Sequence, residues 1–380
     1  MSICSRRSLL QIGAGAAASV ALSSCGAGVQ TSRLPIAAVG ATPVAGPVEG
    51  FDDPGRWAGG SLRVGGWGGE IQAALRDAVW QPFAAATGCT VEDITVEYSQ
   101  LLAAIRAGRS YADLLLVDEM WAQTALERGF VQPVDGASLS LDLLPGFDRT
   151  SHSVPALSYA LVNSFRRDAA STGQPRTWRD WWDVSRFPGA RALQRDPFGT
   201  FEFALMADGV APESLYPLDG DRAIESLKRI SGKIVDRWWD SGAQPVGWLG
   251  THRTDFASAW HYRVVAGQRD GLAVERSWDQ GLVVADHWVI PTGSKAAEIA
   301  VDCLRYAAAP EVQARLARRV PIGPITPAAF ELLDARLLAE VPTSPANLPR
   351  LVRADARWWA ENQGDAVQRF NSWLLGDVNG

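Results

Sequence analysis

The sequence predicts an α/β protein of two lobes with a cleft between them. The chain has 380 residues, enough for about two domains of ordinary size. Its 47% apolar and 21% charged residues are typical of globular proteins. Short apolar strands alternate with amphipathic helices in two successive blocks, an order that indicates parallel strands covered by helices. The chain is expected to cross between the lobes more than once.

The first block contains three predicted strands with helices between them. In chain order, the predicted elements are strand 61–65, helix 70–86, strand 91–98, helix 101–108, strand 112–117 and helix 121–128. Ligands of such sheets bind beyond the carboxyl ends of parallel strands. Trp67 follows the first strand and Asp118 follows the third, so both are expected to point at the same crevice.

The second block begins near Asn163. Thr177, with Asp180 three residues later, has the pattern of a capped helix start. The further predicted elements are helix 200–208, helix 221–233, strand 256–265, strand 283–291, helix 311–319 after Pro310, and a helix beginning at Pro327.

Charge and motifs exclude several classes of function. The net charge is −6, from 36 basic and 42 acidic residues. The sequence contains no basic patch of the kind that binds nucleic acid. No hydrolase elbow, phosphate loop or zinc-protease motif occurs. The four histidines have no metal-ligand spacing, and His261 and His287 are expected to be half-exposed strand residues. The sequence therefore predicts no enzyme, metal or cofactor. The 16 Trp residues suit a stacking site, although most are expected in the core.

The N-terminus has the pattern of an export signal. Arg6 and Arg7 precede an apolar run over 9–22, and Leu22-Ser-Ser-Cys25 resembles the cleavage site of a bacterial lipoprotein. We expect a twin-arginine-like signal at 1–24, lipid on Cys25 and a flexible tether over 25–58. The alternative is an ordinary signal peptide with a chance cysteine. Either reading predicts a periplasmic protein or one held at the outer face of the cytoplasmic membrane.

Two cysteines remain in the predicted body. In an oxidising compartment, Cys89 and Cys303 either form a disulfide or stay as two buried thiols. A protein exported already folded cannot depend on oxidation outside the cell. The thiols are therefore favoured.

Short motifs in order over residues 59–378 resemble extracellular solute-binding proteins of ABC importers, in the spermidine/putrescine-binding family. These motifs are Leu62-Arg-Val-Gly-Gly-Trp67-Gly-Gly, Trp80-Gln-Pro-Phe83, Asp183-Val-Ser-Arg-Phe-Pro-Gly189, Ala204-Leu-Met-Ala-Asp-Gly209, Ser241-Gly-Ala-Gln-Pro245, Trp278-Asp-Gln-Gly-Leu282, Asp286-His-Trp-Val-Ile-Pro291 and Pro342-Thr-Ser-Pro-Ala-Asn347. The resemblance implies a type II periplasmic-binding-protein (flytrap) fold, with lobe 1 at 59–161 plus 286–322 and lobe 2 at 162–285 plus 323–378. It implies a monomer that closes on a small solute and delivers it to an ABC permease.

The resemblance also implies a ligand site. Its residues are Trp67 and Gly68 in the first loop, Asp118, Glu202, Trp260 and Asp286. Carboxylates would pair with ammonium groups and indoles would stack on the cation. Four residues depart from the polyamine-binding pattern, namely Gly199, Val284, Glu70 and Met120. The expected ligand is therefore a cationic or amine-bearing solute rather than spermidine in particular.

Each site residue also has a structural interpretation. Trp67 and Trp260 belong either to the cleft or to the core, and Glu202 either binds ligand or complements its helix dipole. Asp286 pairs either with a ligand ammonium or with an arginine of the other lobe. The glycine-rich loop at 66–69 suits a bound anion as an alternative. Alternative functions are an envelope enzyme acting on a small amine or amide, and a ligand-sensing subunit of a membrane receptor.

Overall fold

A computed structural model describes residues 31–33, 47–96, 103, 107, 110–134, 139, 141–169, 173–234 and 237–377. Within them, ten strands form one mixed sheet in the order β1-β3-β2-β4-β9-β5-β8-β6-β7, and β10 pairs with β9. The strands are β1 Thr31–Arg33, β2 Ser61–Gly66, β3 Thr90–Thr95, β4 Leu114–Asp118, β5 Ser153–Arg166, β6 Arg191–Gln194, β7 Trp238–Trp239, β8 Phe256–Trp260, β9 Val274–Val289 and β10 Val352–Arg353.

Helices cover the sheet in the described part of the chain. They are α1 Gly69–Leu75, joined by a π-helical turn Arg76–Trp80 to α2 Gln81–Thr87, α3 Glu119–Glu127, α4 Trp178–Trp182, α5 Pro197–Ala207, α6 Gly220–Lys228, α7 Ser231–Ile234, α8 Gln244–Gly250, α9 His261–Arg269, α10 Ala297–Ala308, α11 Pro310–Arg319, α12 Ala335–Glu340 and α13 Ala356–Asp377. Short 3₁₀ turns occupy Pro212–Ser214, Pro327–Leu332 and Leu348–Arg350.

Two long antiparallel strands, β5 and β9, connect the two lobes. The parallel strands β2, β3 and β4 join the C-terminal part of β9, while β8 and β6 join β5 on the other side. Each lobe has its own apolar core, around Trp80 and Phe83 in the first and around Trp178 and Trp359 in the second. This arrangement confirms the predicted mixed α/β, two-lobed fold. The precise lobe boundaries stay predictions.

Most predicted elements of the first block have the predicted type, and the helix predicted over 101–108 lies largely outside the described residues. The capping box of Thr177 and Asp180 is present, and the helix after Pro310 is α11. The helix predicted at Pro327 is a 3₁₀ turn, and the one predicted over 221–233 is broken into α6 and α7.

The strand predicted over 256–265 is wrong in its second half. Strand β8 ends at Trp260, and helix α9 begins at His261. His261, Tyr262, Val264 and Val265 are all buried, so the apolar run continues through the junction. A short apolar run cannot by itself distinguish a buried strand from a buried helix. This error bears directly on the site, because the junction lies in the cleft.

The last part of the predicted tether packs against the first lobe. Phe51 is buried with its ring 5.1 Å from that of Tyr306, and Trp57 Nε1 donates to Asp302 Oδ2 at 2.8 Å. The Gly- and Pro-rich composition predicts a flexible segment and does not indicate that Phe51 and Trp57 pack against the first lobe. Strand β1, also within the predicted tether, pairs with β3. The predicted signal peptide and Cys25 lie outside the described residues.

Among the described residues, no helix combines the length and apolarity that a bilayer crossing requires.

Both body cysteines are free, buried thiols. Cys89 and Cys303 are each 1% exposed, and burial raises the pKa of Cys89 to about 11. Because the thiolate is the reactive form, we expect neither to react with a disulfide reagent in the native protein. A variant with Cys4 and Cys25 replaced by serine should therefore titrate no native thiol, and two after unfolding in guanidinium chloride. Rapid native labelling would contradict this burial.

Candidate functional site

A cavity of about 290 Å³ lies where the two lobes meet the long strands. The loop after β2, the middle of β5 and β9, and the junction between β8 and α9 all contribute to its wall. Its principal side chains are Trp67, Glu70, Tyr159, Trp260, Tyr262, Arg263 and Asp286. Four of the six predicted ligand residues line this cavity, namely Trp67, Gly68, Trp260 and Asp286.

The first loop reaches the cavity through a tight turn after β2. Gly68 and Gly69 have φ angles of 81° and 69°, which side chains rarely adopt. Gly68 N donates to Gln72 Oε1 at 2.6 Å, and this bond holds the turn against α1. Trp67 is half-buried and packs against the apolar cluster that contains Ile94 and Leu115. The indole is thus supported from behind while it lines the cavity.

Asp286 places a buried carboxylate in the cavity wall. The residue is 2% exposed, and its Oδ1 accepts a hydrogen bond from Tyr159 Oη at 2.8 Å. Burial raises the pKa of Asp286 to about 7, the Tyr159 hydrogen bond opposes this, and the charge of Asp118 adds to it. A buried carboxylate favours a cationic partner, because the charged form is otherwise poorly solvated.

Asp118 lies beside Asp286 on the neighbouring strand. The two residues are directly paired in the antiparallel register of β4 and β9. Asp118 Oδ1 accepts from Trp121 N at 2.7 Å and caps α3. Burial raises the pKa of Asp118 to about 6, opposed by backbone hydrogen bonds. Asp118 is not among the residues that line the cavity, but its charge acts on Asp286.

Aromatic rings form one wall of the cavity. The ring centres of Tyr159 and Trp260 are 5.0 Å apart in an edge-to-face arrangement, and Tyr262 lies 6.3 Å from Tyr159. Trp260 is half-buried and packs against both lobe cores. Trp260 therefore belongs to the cleft and to the core at once, which reconciles its two interpretations.

An ion pair connects the lobes across the same cavity. Arg263 Nη1 of α9 lies 3.1 Å from Glu70 Oε2 of α1, and both side chains are about one third exposed, at 32% and 35%. The guanidinium of Arg263 also lies 5.3 Å from the centre of the Tyr262 ring. The sequence prediction missed Tyr159, Tyr262 and Arg263. A predicted strand ending at Trp260 would have placed Tyr262 and Arg263 at the start of a helix in the cleft.

Glu202 does not line this cavity. Its carboxylate is fully buried in the second lobe and accepts from Tyr216 Oη at 2.7 Å, Trp359 Nε1 at 2.7 Å and Gly199 N at 2.9 Å. Burial raises the pKa of Glu202 to about 7, against these hydrogen bonds. A side chain at Gly199 would come within 2.5 Å of Leu161 of β5, so the second acid of the polyamine pattern has no room here. The ligand-binding role of Glu202 stays a prediction.

The expectation that His261 and His287 are half-exposed is wrong, and only His287 is a strand residue as predicted. His261 begins α9 and His287 lies in β9, and they are 0% and 1% exposed. Burial lowers the pKa of each to about 3. His261 is neutral and well partnered, with Nε2 2.7 Å from the Pro321 carbonyl oxygen.

The chain is similar to known solute-binding proteins over most of its length. A family model described as bacterial extracellular solute-binding protein matches residues 78–347. The gamma-aminobutyric acid (GABA)-binding protein of Pseudomonas aeruginosa is 29% identical over 325 residues, covering 82% of this chain and 90% of that protein.

Two solved structures resemble the fold closely. An ABC transporter substrate-binding protein from Bradyrhizobium japonicum is 31% identical with a TM-score of 0.78, covering 83% of this chain and 99% of that one. The Atu4243-GABA receptor is 30% identical with a TM-score of 0.76, covering 82% and 97%. This chain belongs to the bacterial extracellular solute-binding proteins, the substrate-binding components of ABC transporters.

Proposed function

We propose that the protein captures a small amine-bearing solute in the cavity between Trp67, Trp260 and Asp286, and delivers it to a membrane permease. The observation that carries the proposal is the Asp286 carboxylate. It is buried in the cavity wall, and the described part of the chain places no Arg or Lys within ion-pair distance of it. A ligand ammonium supplies the missing charge.

The proposed binding combines a charge pair with aromatic contacts. An ammonium at Asp286 is desolvated along with the carboxylate, so their attraction acts in a medium of low polarity. Trp67 and Trp260 offer ring faces to the cation, each worth about 0.5–2 kcal/mol. Asp118 adds negative potential from the neighbouring strand. Of the six predicted ligand residues, we retain Trp67, Gly68, Asp118, Trp260 and Asp286 in this proposal.

The charge distribution favours an amine that also carries a carboxylate over a polyamine. Arg263 lines the same cavity as Asp286 and pairs with Glu70, so a second ammonium would have to displace the guanidinium from Glu70. Two similar proteins, the GABA-binding protein of Pseudomonas aeruginosa and the Atu4243-GABA receptor, are named for a solute of this kind. We therefore propose an ω-amino acid of the size of GABA, with its ammonium at Asp286 and its carboxylate at Arg263.

Closure of the lobes completes the proposed mechanism. Asp286 and Tyr159 lie on the connecting strands, while Trp67 belongs to the first lobe and Arg263 to the second. A ligand that contacts all of them binds the closed arrangement better than the open one and shifts the equilibrium towards it. We propose the lobes as residues 59–161 plus 286–322 and 162–285 plus 323–378, with export by the N-terminal signal and a lipid anchor at Cys25.

Calorimetry with matched solutes tests the proposed ligand class. GABA, n-butylamine, butyrate, putrescine and spermidine are titrated at pH 8, where Asp286 is ionised. We expect GABA to bind most tightly, butylamine more weakly and butyrate not at all. Binding of butyrate as strong as that of GABA, or no binding of any amine, would refute the proposal. A lipid on Cys25 is checked separately by mass spectrometry of the membrane-extracted protein.

Replacing Arg263 with glutamine is expected to weaken GABA binding selectively. The variant loses the partner of the ligand carboxylate, at a cost of about 2 kcal/mol or roughly 30-fold in affinity. Butylamine has no carboxylate, so its affinity should change less than about threefold. Calorimetry on both ligands measures the difference. An equal loss for the two ligands would show that Arg263 acts on lobe closure rather than on the carboxylate.

A further inference from the structure

A carboxylate of the protein already contacts Arg263, the residue proposed to bind the carboxylate of the ligand. Arg263 is the third residue of α9, and its Nη1 lies 3.1 Å from Oε2 of Glu70, the second residue of α1. Both residues line the cavity between Trp67, Trp260 and Asp286, and their side chains are about one third exposed. A ligand in this cavity therefore meets the ion pair rather than a free guanidinium.

The orientation of the Arg263 guanidinium leaves one edge for a carboxylate. An arginine binds the two oxygens of a carboxylate either through Nε and Nη2 or through Nη1 and Nη2. The Nε of Arg263 is buried and has no hydrogen-bond partner among the described residues, so a ligand cannot use the first pair of donors. The second pair includes Nη1, which donates to Glu70 Oε2. A ligand carboxylate that makes two hydrogen bonds therefore needs the nitrogen that Glu70 occupies.

The charges that line the cavity also oppose a ligand carboxylate. At pH 8, Glu70 and Asp286 contribute two negative charges and Arg263 contributes one positive charge. An amine with a single ammonium balances this difference, whereas an ω-amino acid has no net charge and leaves one negative charge without a partner. With an uncharged residue at position 70, each charge of the amino acid would have one partner in the cavity.

We propose that Glu70 determines how strongly the site discriminates between an amino acid and the corresponding amine. It competes with the ligand carboxylate for Arg263 and repels that carboxylate, and so lowers the preference for the amino acid. The proposal rests on the proposed function, in which Asp286 binds the ammonium of both kinds of ligand. Glu70 is expected to act on the carboxylate end alone.

Calorimetry on the full chain at pH 8 tests this role with GABA and n-butylamine. The preference is measured as the Kd of butylamine divided by the Kd of GABA, so effects common to the two ligands cancel. Glutamine keeps the length of Glu70 and removes its charge. We expect Glu70→Gln to raise the preference about fivefold, the factor that corresponds to loss of a partly exposed ion pair. A preference within about twofold of the wild-type value, or below it, overturns the proposal.

Glu119→Gln is the matched control. Glu119 Oε2 of α3 accepts from Arg353 Nη2 of β10 at 2.8 Å, and the two side chains are exposed to a similar extent, 29% and 28%. Neither residue lines the cavity that contains Glu70. This variant therefore loses a comparable ion pair without changing the surroundings of the ligand carboxylate. Its preference should stay within about twofold of the wild type, and a rise as large as that in Glu70→Gln overturns the proposal.

The two proposals fail in different ways. If the wild-type protein binds neither GABA nor butylamine, the proposed function is refuted and the role of Glu70 with it. If the wild type binds GABA and Glu70→Gln leaves the preference unchanged, only the role of Glu70 is refuted.

Discussion

Asparagine in place of Asp286 is expected to weaken GABA binding by about 100-fold or more, equivalent to roughly 3 kcal/mol. Asparagine has nearly the same shape and keeps an oxygen for the hydrogen bond from Tyr159. What it removes is the negative charge that pairs with the ligand ammonium. Truncating one partner of a buried ion pair leaves the other charge unpaired, which is why the expected loss is large.

Calorimetry at pH 8 measures this loss, with Asp302→Asn as the matched control. Asp302 is also buried, at 4% exposure, but its carboxylate accepts hydrogen bonds from Arg56 and Trp57, and none of the three residues lines the cavity. The control should lose stability while binding GABA within about twofold of the unchanged protein. A GABA affinity of Asp286→Asn equal to that of the wild type would refute the proposed function.

The same substitution should stabilise the ligand-free protein. Burial raises the pKa of Asp286 from 3.8 to about 7. The folded state therefore holds a proton that the unfolded state has released between these values, and the free energy of unfolding falls as pH rises from about 4 to about 7. Asparagine removes this contribution, so Asp286→Asn should gain on the order of 2 kcal/mol at pH 8.

Denaturant unfolding between pH 4 and pH 8 measures the change in slope. Asp118 and Glu202 also have raised pKa values, so they contribute to the pH dependence of wild-type stability as well. The contribution of Asp286 is therefore the difference between the slope of the wild type and the slope of Asp286→Asn. In the wild type, GABA affinity should rise with pH and level off above about pH 7, where Asp286 is ionised. A variant as pH-sensitive as the wild type would contradict the assignment.

Replacing Glu202 with alanine is expected to lower the free energy of unfolding by about 4 kcal/mol. The substitution leaves Tyr216 Oη, Trp359 Nε1 and Gly199 N without their acceptor, and it opens a cavity in the core of the second lobe. Glutamine keeps an acceptor for the first two donors and sets an amide against the third. Its cost should be about 1–2 kcal/mol.

Urea unfolding at pH 8 compares the two Glu202 variants, and calorimetry on Glu202→Gln examines the predicted ligand role. Because all three partners of Glu202 lie in the second lobe, we expect GABA affinity in this variant to stay within about threefold of the wild type. A loss as large as that in Asp286→Asn would assign Glu202 to ligand binding. Equal stability of the alanine and glutamine variants would contradict the hydrogen-bond network.

Sequence patterns predicted the first lobe well because its elements are regular. Parallel strands bring residues after their carboxyl ends to one crevice, and this rule alone placed Trp67 in the cavity and Asp118 beside its wall. The same rule could not place Arg263. Its position depends on a strand ending at Trp260, inside an apolar run whose burial conceals the change from strand to helix.

The amino-acid sequence by itself determined the α/β class, the two lobes, membership of the solute-binding proteins of ABC transporters (but not a polyamine-binding subfamily) and the presence of acidic residues in apolar surroundings. Only the tertiary structure distinguished Asp286, which faces a cavity, from Glu202, which is satisfied inside its lobe. Trp359, which donates to Glu202, is 157 residues away along the chain, and Tyr159, which donates to Asp286, is 127 residues away. The partners of a buried charge are brought together by folding, and local sequence patterns do not predict contacts between residues so far apart along the chain.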